Sequence, residues 1–413
     1  MKIILIAYAC EPGKGSEPRL GWLWVKHLSR KHRVYVITRV SNKYAIEKEL
    51  SNNPNPNLNF LYFDLPKPLL FWKRGRIGVQ IYHYLWQIGI FIKFGYLIKR
   101  RNFDIVHHVT FGHNWQPVFL SLLAKNFIWG PIGSEDTPKI ILKQLPFKYK
   151  IKEYLRELGR FILLNFDPFV QLVARKAKVI LDSSSRWTKK YYHKDIQAKI
   201  IKFPQNGIDP EELPLTPKEI LEKKDYKTFN IVFVGEFVPW KGILFVVDTI
   251  KKFAEFAGDD WKAILVGYGP EFENVKRELY YLGKKVVLTG KININEVWNI
   301  LINGNVFLYP SFHHGQATVL MHALVCGLPV ICIEGDATAE TITSDCGIVV
   351  KLGAKEEIVK GLTEALLTLY KDRELLKKLS KNAQELVFRE YSWEKKVDFV
   401  TKIYYNLLNN IEK

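Results

Sequence analysis

Residues 310–331 gather, in one short stretch, groups suited to holding an anionic substrate. They run Pro310-Ser311-Phe312-His313-His314-Gly315-Gln316-Ala317-Thr318 and continue through His322 to Gly327-Leu328-Pro329 and Ile331. The pattern reads as a strand end, a polar turn, a helix, and a stop that opens the next strand. A helix N-terminus at the carboxyl edge of a parallel sheet offers backbone N–H groups and a positive dipole end, which suits phosphate. Lys241, in Val234-Gly235-Glu236-Phe237-Val238-Pro239-Trp240-Lys241-Gly242, stands between another strand end and another helix start. An ammonium group there can place a point charge on a phosphate. Gly267-Tyr268-Gly269-Pro270-Glu271 reads as a second strand-to-turn edge of the same site.

Histidine is the other concentration. Asp104-Ile105-Val106-His107-His108-Val109-Thr110-Phe111-Gly112-His113 places three imidazoles at or just past a strand's carboxyl end, as expected of a polar site. No carboxylate or thiolate completes a ligand set there, so no metal is expected. Two more Gly-containing turns follow strand-like runs, Glu11–Pro18 with Gly13 and Gly15, and Trp129–Glu135 with Gly130 and Gly133. Glycine lets backbone N–H groups approach a ligand, and a tight strand-to-helix turn needs it equally. Asn206-Gly207-Ile208-Asp209 is by itself a good turn.

These residues need elements to hold them. Apolar runs at Ile3–Ala9, Val34–Thr38, Asn59–Phe63, Asp104–Val106, Phe127–Trp129 and Lys178–Leu181 alternate with helix-patterned stretches. A second set follows at Asn230–Val234, Lys262–Val266, Lys285–Thr289, Val306–Tyr309, Pro329–Ile333 and Gly347–Val350. Continuous apolar strands separated by helices predict parallel sheets covered on both faces. Two sets, in a chain of 413 residues, predict two doubly wound α/β domains. Ligands in such folds bind outside the carboxyl ends of the strands, which points to a cleft between the domains. The boundary is expected between Pro204 and Lys227, where Leu213-Pro214-Leu215-Thr216-Pro217 precedes a charged stretch. This gives residues 1–205, 206–390 and a terminal helix, 391–413, whose Val397, Val400, Ile403, Tyr404 and Leu407 form an apolar face needing a partner.

The formal net charge of +19 favours anionic partners. No nucleic-acid motif accompanies it, so nucleic acid is not expected. The 47% apolar content with 25% charged residues excludes a disordered chain. Four cysteines without CxxC spacing, Cys10, Cys326, Cys332 and Cys346, read as buried thiols in a cytoplasmic protein. Met1 to Ala9 reads as a first buried strand rather than a signal peptide, and no apolar run is long enough to span a bilayer. Phe71-Trp72-Lys73-Arg74-Gly75-Arg76 and Lys99-Arg100-Arg101 flank an apolar stretch, Ile77 to Ile98. That arrangement suits an anionic membrane surface or a lipid-linked acceptor, and equally a core helix with solvated ends.

Together these motifs resemble the retaining, family-four nucleotide-sugar glycosyltransferases over nearly the whole chain. Residues 10–18, 107–111 and 129–133 resemble one branch. Residues 206–209, 241–242, 267–271 and 310–329 are similar to family-wide motifs. The resemblance implies a GT-B fold, two Rossmann-like domains facing a central cleft, with the acceptor in the first and the donor in the second. It implies that the terminal helix crosses back to the first domain, and that no cofactor or metal is used. It assigns Lys241, with His314, His113 and His108, to catalysis. Donor binding falls to Gly15, Gly235, Glu236, Lys241, Gly267, Gly269, His314, Gly315, Gln316, Ala317, Thr318 and His322. His107, Gly133 and Glu135 fall on the acceptor side. The chain departs from the family pattern where Glu236 replaces an arginine and where His314 and His322 replace a pair of glutamates. The expected partners are a nucleotide-diphosphate sugar, a glycan or lipid-linked acceptor and an anionic membrane surface, at the inner membrane face. The alternatives are a partner subunit with a degenerate donor site and a sugar-nucleotide epimerase.

Overall fold

The computed structural model describes residues 1–73, 75, 78–133, 137–183, 188–312, 317–335 and 337–409. They form two compact units. The first comprises Met1–Ser134, Glu157–Gln205 and Trp393–Lys413; the second comprises Glu135–Arg156 and Asn206–Ser392. A boundary near residue 205 therefore misplaces one segment, since residues 135–156 group with the second unit. The reason is apolar burial: Ile141, Leu142, Leu145 and Tyr149 join the second unit's core.

The strands are β1 (Lys2–Ile6), β2 (Arg33–Thr38), β3 (Leu58–Tyr62), β4 (Ile105–His108), β5 (Phe127–Ile132), β6 (Val179–Asp182) and β7 (Ile200–Lys202) in the first unit. In the second they are β8 (Phe229–Val234), β9 (Trp261–Val266), β10 (Val286–Gly290), β11 (Val306–Leu308), β12 (Val330–Ile333) and β13 (Gly347–Val350). Among the described residues the helices are as follows. The first unit contributes α1 (Glu17–Leu28), α2 (Lys43–Asn52) and α3 (Val79–Arg100). Next come α4 (Lys139–Gln144), α5 (Phe147–Phe166), α6 (Pro168–Lys176), α7 (Lys194–Gln197) and α8 (Pro217–Glu222). Then α9 (Ile243–Ala254), α10 (Phe272–Leu279), α11 (Ile294–Ile302) and α12 (Thr318–Val325) follow. The last are α13 (Ala337–Thr341), α14 (Lys355–Lys371), α15 (Arg373–Glu390) and α16 (Trp393–Leu408).

Each of the twelve apolar runs in the sequence falls on a strand. The thirteenth strand, β7, was not anticipated because it is three residues long and ends on an exposed lysine. The sheets are wholly parallel, ordered β3-β2-β1-β4-β5-β6-β7 and β10-β9-β8-β11-β12-β13. In each, the chain winds outward from the first strand, then returns to its other side. That reversal leaves a crevice at the carboxyl ends of β1 and β4 in one unit and of β8 and β11 in the other.

The first sheet is apolar on both faces. Ile3 and Leu5 of β1 join a cluster with α1 and α16; Ile4 and Ile6 join a cluster with α3 and α6. This is the two-residue period of a strand buried on both sides. The terminal helix α16 inserts Trp393, Val397, Val400 and Tyr404, all buried. Each contributes about 1.5–3 kcal/mol through burial. Beside them, Lys396 is buried too. Its Nζ lies 4.2 Å from the Trp393 ring centroid and 5.2 Å from that of Phe203. It donates to the Gln205 carbonyl at 2.9 Å. No helix among the described residues is long and apolar enough to cross a membrane.

Tyr404 also reaches the ring of His107, 2.6 Å from Nδ1, while Nε2 lies 2.6 Å from the Gly130 carbonyl. A carbonyl only accepts, so Nε2 carries the proton and Nδ1 accepts from the Tyr404 hydroxyl. Tyr404→Phe should leave that nitrogen buried without a donor, at a cost of about 1–3 kcal/mol in urea unfolding. An unchanged unfolding free energy would show that the bond does not anchor α16.

Candidate functional site

In the second unit, β8 and β11 lie side by side, with Val306 opposite Ile231 and Phe307 opposite Val232. The loops that leave their carboxyl ends are tied to each other. The Trp240 carbonyl accepts from the Phe312 amide at 3.2 Å and from the Ser311 hydroxyl at 3.3 Å. Lys241 follows directly, half-buried, and its Nζ donates to the Tyr309 hydroxyl at 3.2 Å. Gly242 then turns the chain into α9 with a φ of 77°. A Cβ there would stand 2.1 Å from the Pro310 carbonyl oxygen, so only glycine permits this approach of the two loops.

Helices α9 and α12 both begin at this edge, and among the described residues no side chain caps the first turn of either. Ala317 is the residue preceding α12, and Thr318 opens it, its hydroxyl donating to Asn206 Oδ1 at 2.9 Å. Lys241 and the starts of α9 and α12 thus put positive potential in one crevice. Glu236 is exposed in the loop that follows β8. His322 sits one turn into α12, buried, with its ring centroid 4.3 Å from that of Trp298 on α11. His314, Gly315 and Gln316 lie outside the described residues, as does Glu135.

Three glycines assigned to the donor have structural work here. The Gly235 amide donates to Val266, and the Gly267 amide to Gly290, both at 3.0 Å. Both amides are thus hydrogen-bonded within the sheet edge. A Cβ on Gly267 or Gly269 would run into the backbone of Gly235 or Phe237. The absence of a Cβ at Gly267 and Gly269 permits the close packing of neighbouring loops.

Residues 137–156 bring side chains to this edge that the sequence did not single out. The Tyr149 hydroxyl donates to Glu271 Oε1 at 2.6 Å, and burial, then this bond, pushes the phenol's pKa up. The Tyr149 ring lies 6.0 Å from that of Trp240, and Lys152 Nζ lies 5.1 Å from the same indole. No local signal marks these residues, because the contacts span about a hundred positions of sequence.

In the first unit the three candidate histidines separate. His107 follows the β4 face shared with Ile105, toward Trp24 and Tyr404. It is fully buried with both nitrogens engaged, so the acceptor-side assignment gives way to a structural one. His108 takes the opposite face, 6.3 Å from the ring of His83 on α3. It is 1% exposed, and neither ring nitrogen has a hydrogen-bond partner among the described residues. That burial removes it from the rim where a catalytic base would meet substrate. His113 is half-buried beyond the strand, stacked on Trp115 at 4.9 Å and 3.4 Å from the Gln80 side-chain nitrogen. Gly133 pairs with it as an isolated bridge and donates to Gly112 at 2.8 Å. Gly15 is exposed in the loop after β1, where a Cβ would meet nothing. His83 stands on a helix that reads as apolar, so no local signal marks it; it bonds Gln116 and lies 3.3 Å from the Gln87 side-chain nitrogen. Among the described residues no three His, Cys, Asp or Glu are placed to hold a metal ion.

Residues 217–386, the part that carries the Lys241 crevice, match the family described as glycosyl transferases group 1. An uncharacterized glycosyltransferase of Methanocaldococcus jannaschii is 23% identical over 268 residues, 64% of this chain and 64% of that protein. A second relative from the same organism is 28% identical over 46% of this chain and 51% of its own length. The chain therefore matches less than two thirds of these relatives' length. Among solved structures, sucrose-phosphate synthase from Thermosynechococcus elongatus superposes with a TM-score of 0.65 and 16% identity, covering 99% of both chains. Anabaena HepE, in complex with UDP and glucose, superposes with a TM-score of 0.61 and 14% identity over 98% of this chain and 99% of its own. The fold is GT-B. At these identities the structural likeness speaks for the fold alone, and the family match covers residues 217–386 of the second unit.

Two measurements follow. Gly242→Ala should lower stability by more than about 2 kcal/mol, from a left-handed alanine and a displaced Pro310 loop; an unchanged thermal midpoint would refute the close approach. The buried histidines should make the protein acid-sensitive. Burial holds His83 and His107 down to about 3 and His32 to about 4, and His108 well below the ordinary range. The unfolded chain protonates near pH 6.5, so between these values it binds more protons than the folded one. Stability is complete above about pH 6.5 and falls as pH drops, by about 1.4 kcal/mol per pH unit for each histidine. Urea unfolding at about pH 7 and about pH 5 checks this; equal free energies would show that these rings do not enter the core neutral.

Proposed function

We propose that this protein is a glycosyltransferase that moves a sugar from a nucleotide-diphosphate donor to a glycan or lipid-linked acceptor. We assign the donor to the second unit and the acceptor to the first. The observation that supports this best is where the family match falls. Residues 217–386 enclose the crevice in which Lys241 and the starts of α9 and α12 lie at one sheet edge. As the bond between sugar and diphosphate breaks, negative charge grows on the departing oxygen. Lys241 and the first-turn amides are fixed before the reaction begins, so they stabilise that charge without reorganising. Tyr309 holds the ammonium group at the crevice floor.

The acceptor would approach the polar edge of β1 and β4, where His113 is the accessible histidine of the three. Retention of anomeric configuration, with bond breaking leading and both partners on one face of the sugar, is part of this reading. It rests on the motif resemblance. No cofactor and no metal enter the proposed reaction; the positive charge comes from Lys241 and the helix starts.

Calorimetric titration of UDP, GDP and their sugars tests the donor site. One nucleotide sugar should bind, and Lys241→Ala should weaken it by about 1.5–3 kcal/mol, one to two decades in Kd. Equal affinity in the variant would remove Lys241 from the diphosphate site. No binding by the folded wild-type protein would favour a non-catalytic partner subunit.

A further inference from the structure

Helix α3, the stretch read from sequence as a membrane or core helix, packs into the first unit's core through Tyr82, Trp86, Ile90 and Phe94. It also carries three polar side chains on one face. Gln80, His83 and Gln87 are spaced by three and four residues, so they line up along the helix. Gln80, in the first turn, is exposed; His83 and Gln87 are fully buried. Against them lies the turn that follows β4, in which the Gln116 amide donates to the His113 carbonyl at 3.3 Å. A polar group inside a core costs free energy unless it finds a partner. Here the partners form a line of five residues, all in the first unit. His83 Nδ1 bonds Gln116 Oε1, and His83 Nε2 lies 3.3 Å from Gln87 Nε2. Gln116 Nε2 bonds Gln80 Oε1 at 2.7 Å, and Gln80 Nε2 lies 3.4 Å from His113 Nε2.

One backbone atom fixes the direction of this line. Gln116 Nε2 also donates to the Gln80 main-chain carbonyl at 3.2 Å. A carbonyl oxygen only accepts, so the end of the Gln116 amide turned toward Gln80 is its NH2 group. Gln80 then meets Gln116 with its own oxygen and meets His113 with its own NH2 group. His113 Nε2 is therefore an acceptor, and the proton of the neutral ring sits on Nδ1. The far end of the line agrees. Gln116 Oε1 accepts from His83, whose Nδ1 carries the proton, and His83 Nε2 accepts from Gln87. Burial keeps His83 neutral, its pKa held down to about 3. Turning the Gln80 amide over would set its NH2 group against that of Gln116, so Gln80 cannot reverse alone. The His113 ring is itself clamped. Trp115 stacks on it with centroids 4.9 Å apart, and Phe111 meets it edge-on at 5.6 Å.

We propose that Gln80 is a positioning residue that holds His113 in its neutral, Nδ1-protonated form, with the remaining lone pair engaged. His113 then has no lone pair with which to take a proton from an acceptor hydroxyl, so at the acceptor edge it is no general base. That consequence for catalysis rests on the glycosyltransferase reading above. The tautomer does not, and its test needs no substrate. Long-range proton–nitrogen NMR correlations of the full chain with isotope-labelled histidine report which ring nitrogen carries the proton. The measurement is made at about pH 8, where an ordinary imidazole is neutral. His113→Asn identifies the signal by its loss. Wild-type His113 should show a protonated Nδ1 and a bare Nε2. Gln80→Glu puts an acceptor where the NH2 group stood, and should move the proton to Nε2. Gln80→Leu should let the two forms exchange. Both variants should keep the wild-type thermal midpoint, because Gln80 is exposed. A wild-type ring protonated on Nε2 would overturn the proposal. So would an unchanged His113 signal in Gln80→Leu, since another contact would then set the tautomer. The calorimetric titration of nucleotide sugars tests the functional reading separately.

Discussion

The Trp240 carbonyl is the joint on which the donor edge depends. It accepts two hydrogen bonds from the loop after β11 while belonging to the loop after β8. Parallel winding brings those two loops together, since β8 and β11 are neighbours in space and some seventy residues apart in sequence. With the carbonyl held, Lys241 has little freedom, and its ammonium group rests on Tyr309. Gly242 completes the joint by letting the backbone pass close to Pro310. A fixed cation beside two helix starts is the kind of preorganised field that stabilises charge as it develops.

The first unit uses the same winding for a different end. Alternation along β4 sends His107 to one face and His108 to the other. One imidazole becomes a tie between β5 and the terminal helix. The other lies in the core beside His83, neutral because burial opposes its charge. His113, past the strand end, keeps access to the outside. Three residues that look alike in sequence thus divide between scaffold and rim by strand geometry alone.

The segment from 137 to 156 packs with the second unit, beside the donor edge. Its inward side chains, Tyr149 and Glu153 among them, are held by Glu271, Thr137 and Arg156. Satisfying these polar groups inside leaves the apolar positions of α5 facing out.

The sequence by itself determined the strands, because twelve apolar runs of the right length admit little else, and it determined the winding, because helices between them force parallel pairing. It also placed Lys241 and the start of α12 at strand ends, since local turn and helix signals mark them. Only the tertiary structure decided what each polar residue does there. Gly235 and Gly267 prove to be sheet-edge donors, His107 a core tie, and Tyr149 and Lys152 neighbours of Trp240. Segment 135–156 proves to group with the second unit. These outcomes depend on contacts between residues far apart in the chain, and on which face of α5 found partners. Hydrophobic periodicity shows that a helix has two faces. Which face turns inward also involves hydrogen bonds to distant residues, such as that of Tyr149 to Glu271, which no local pattern encodes.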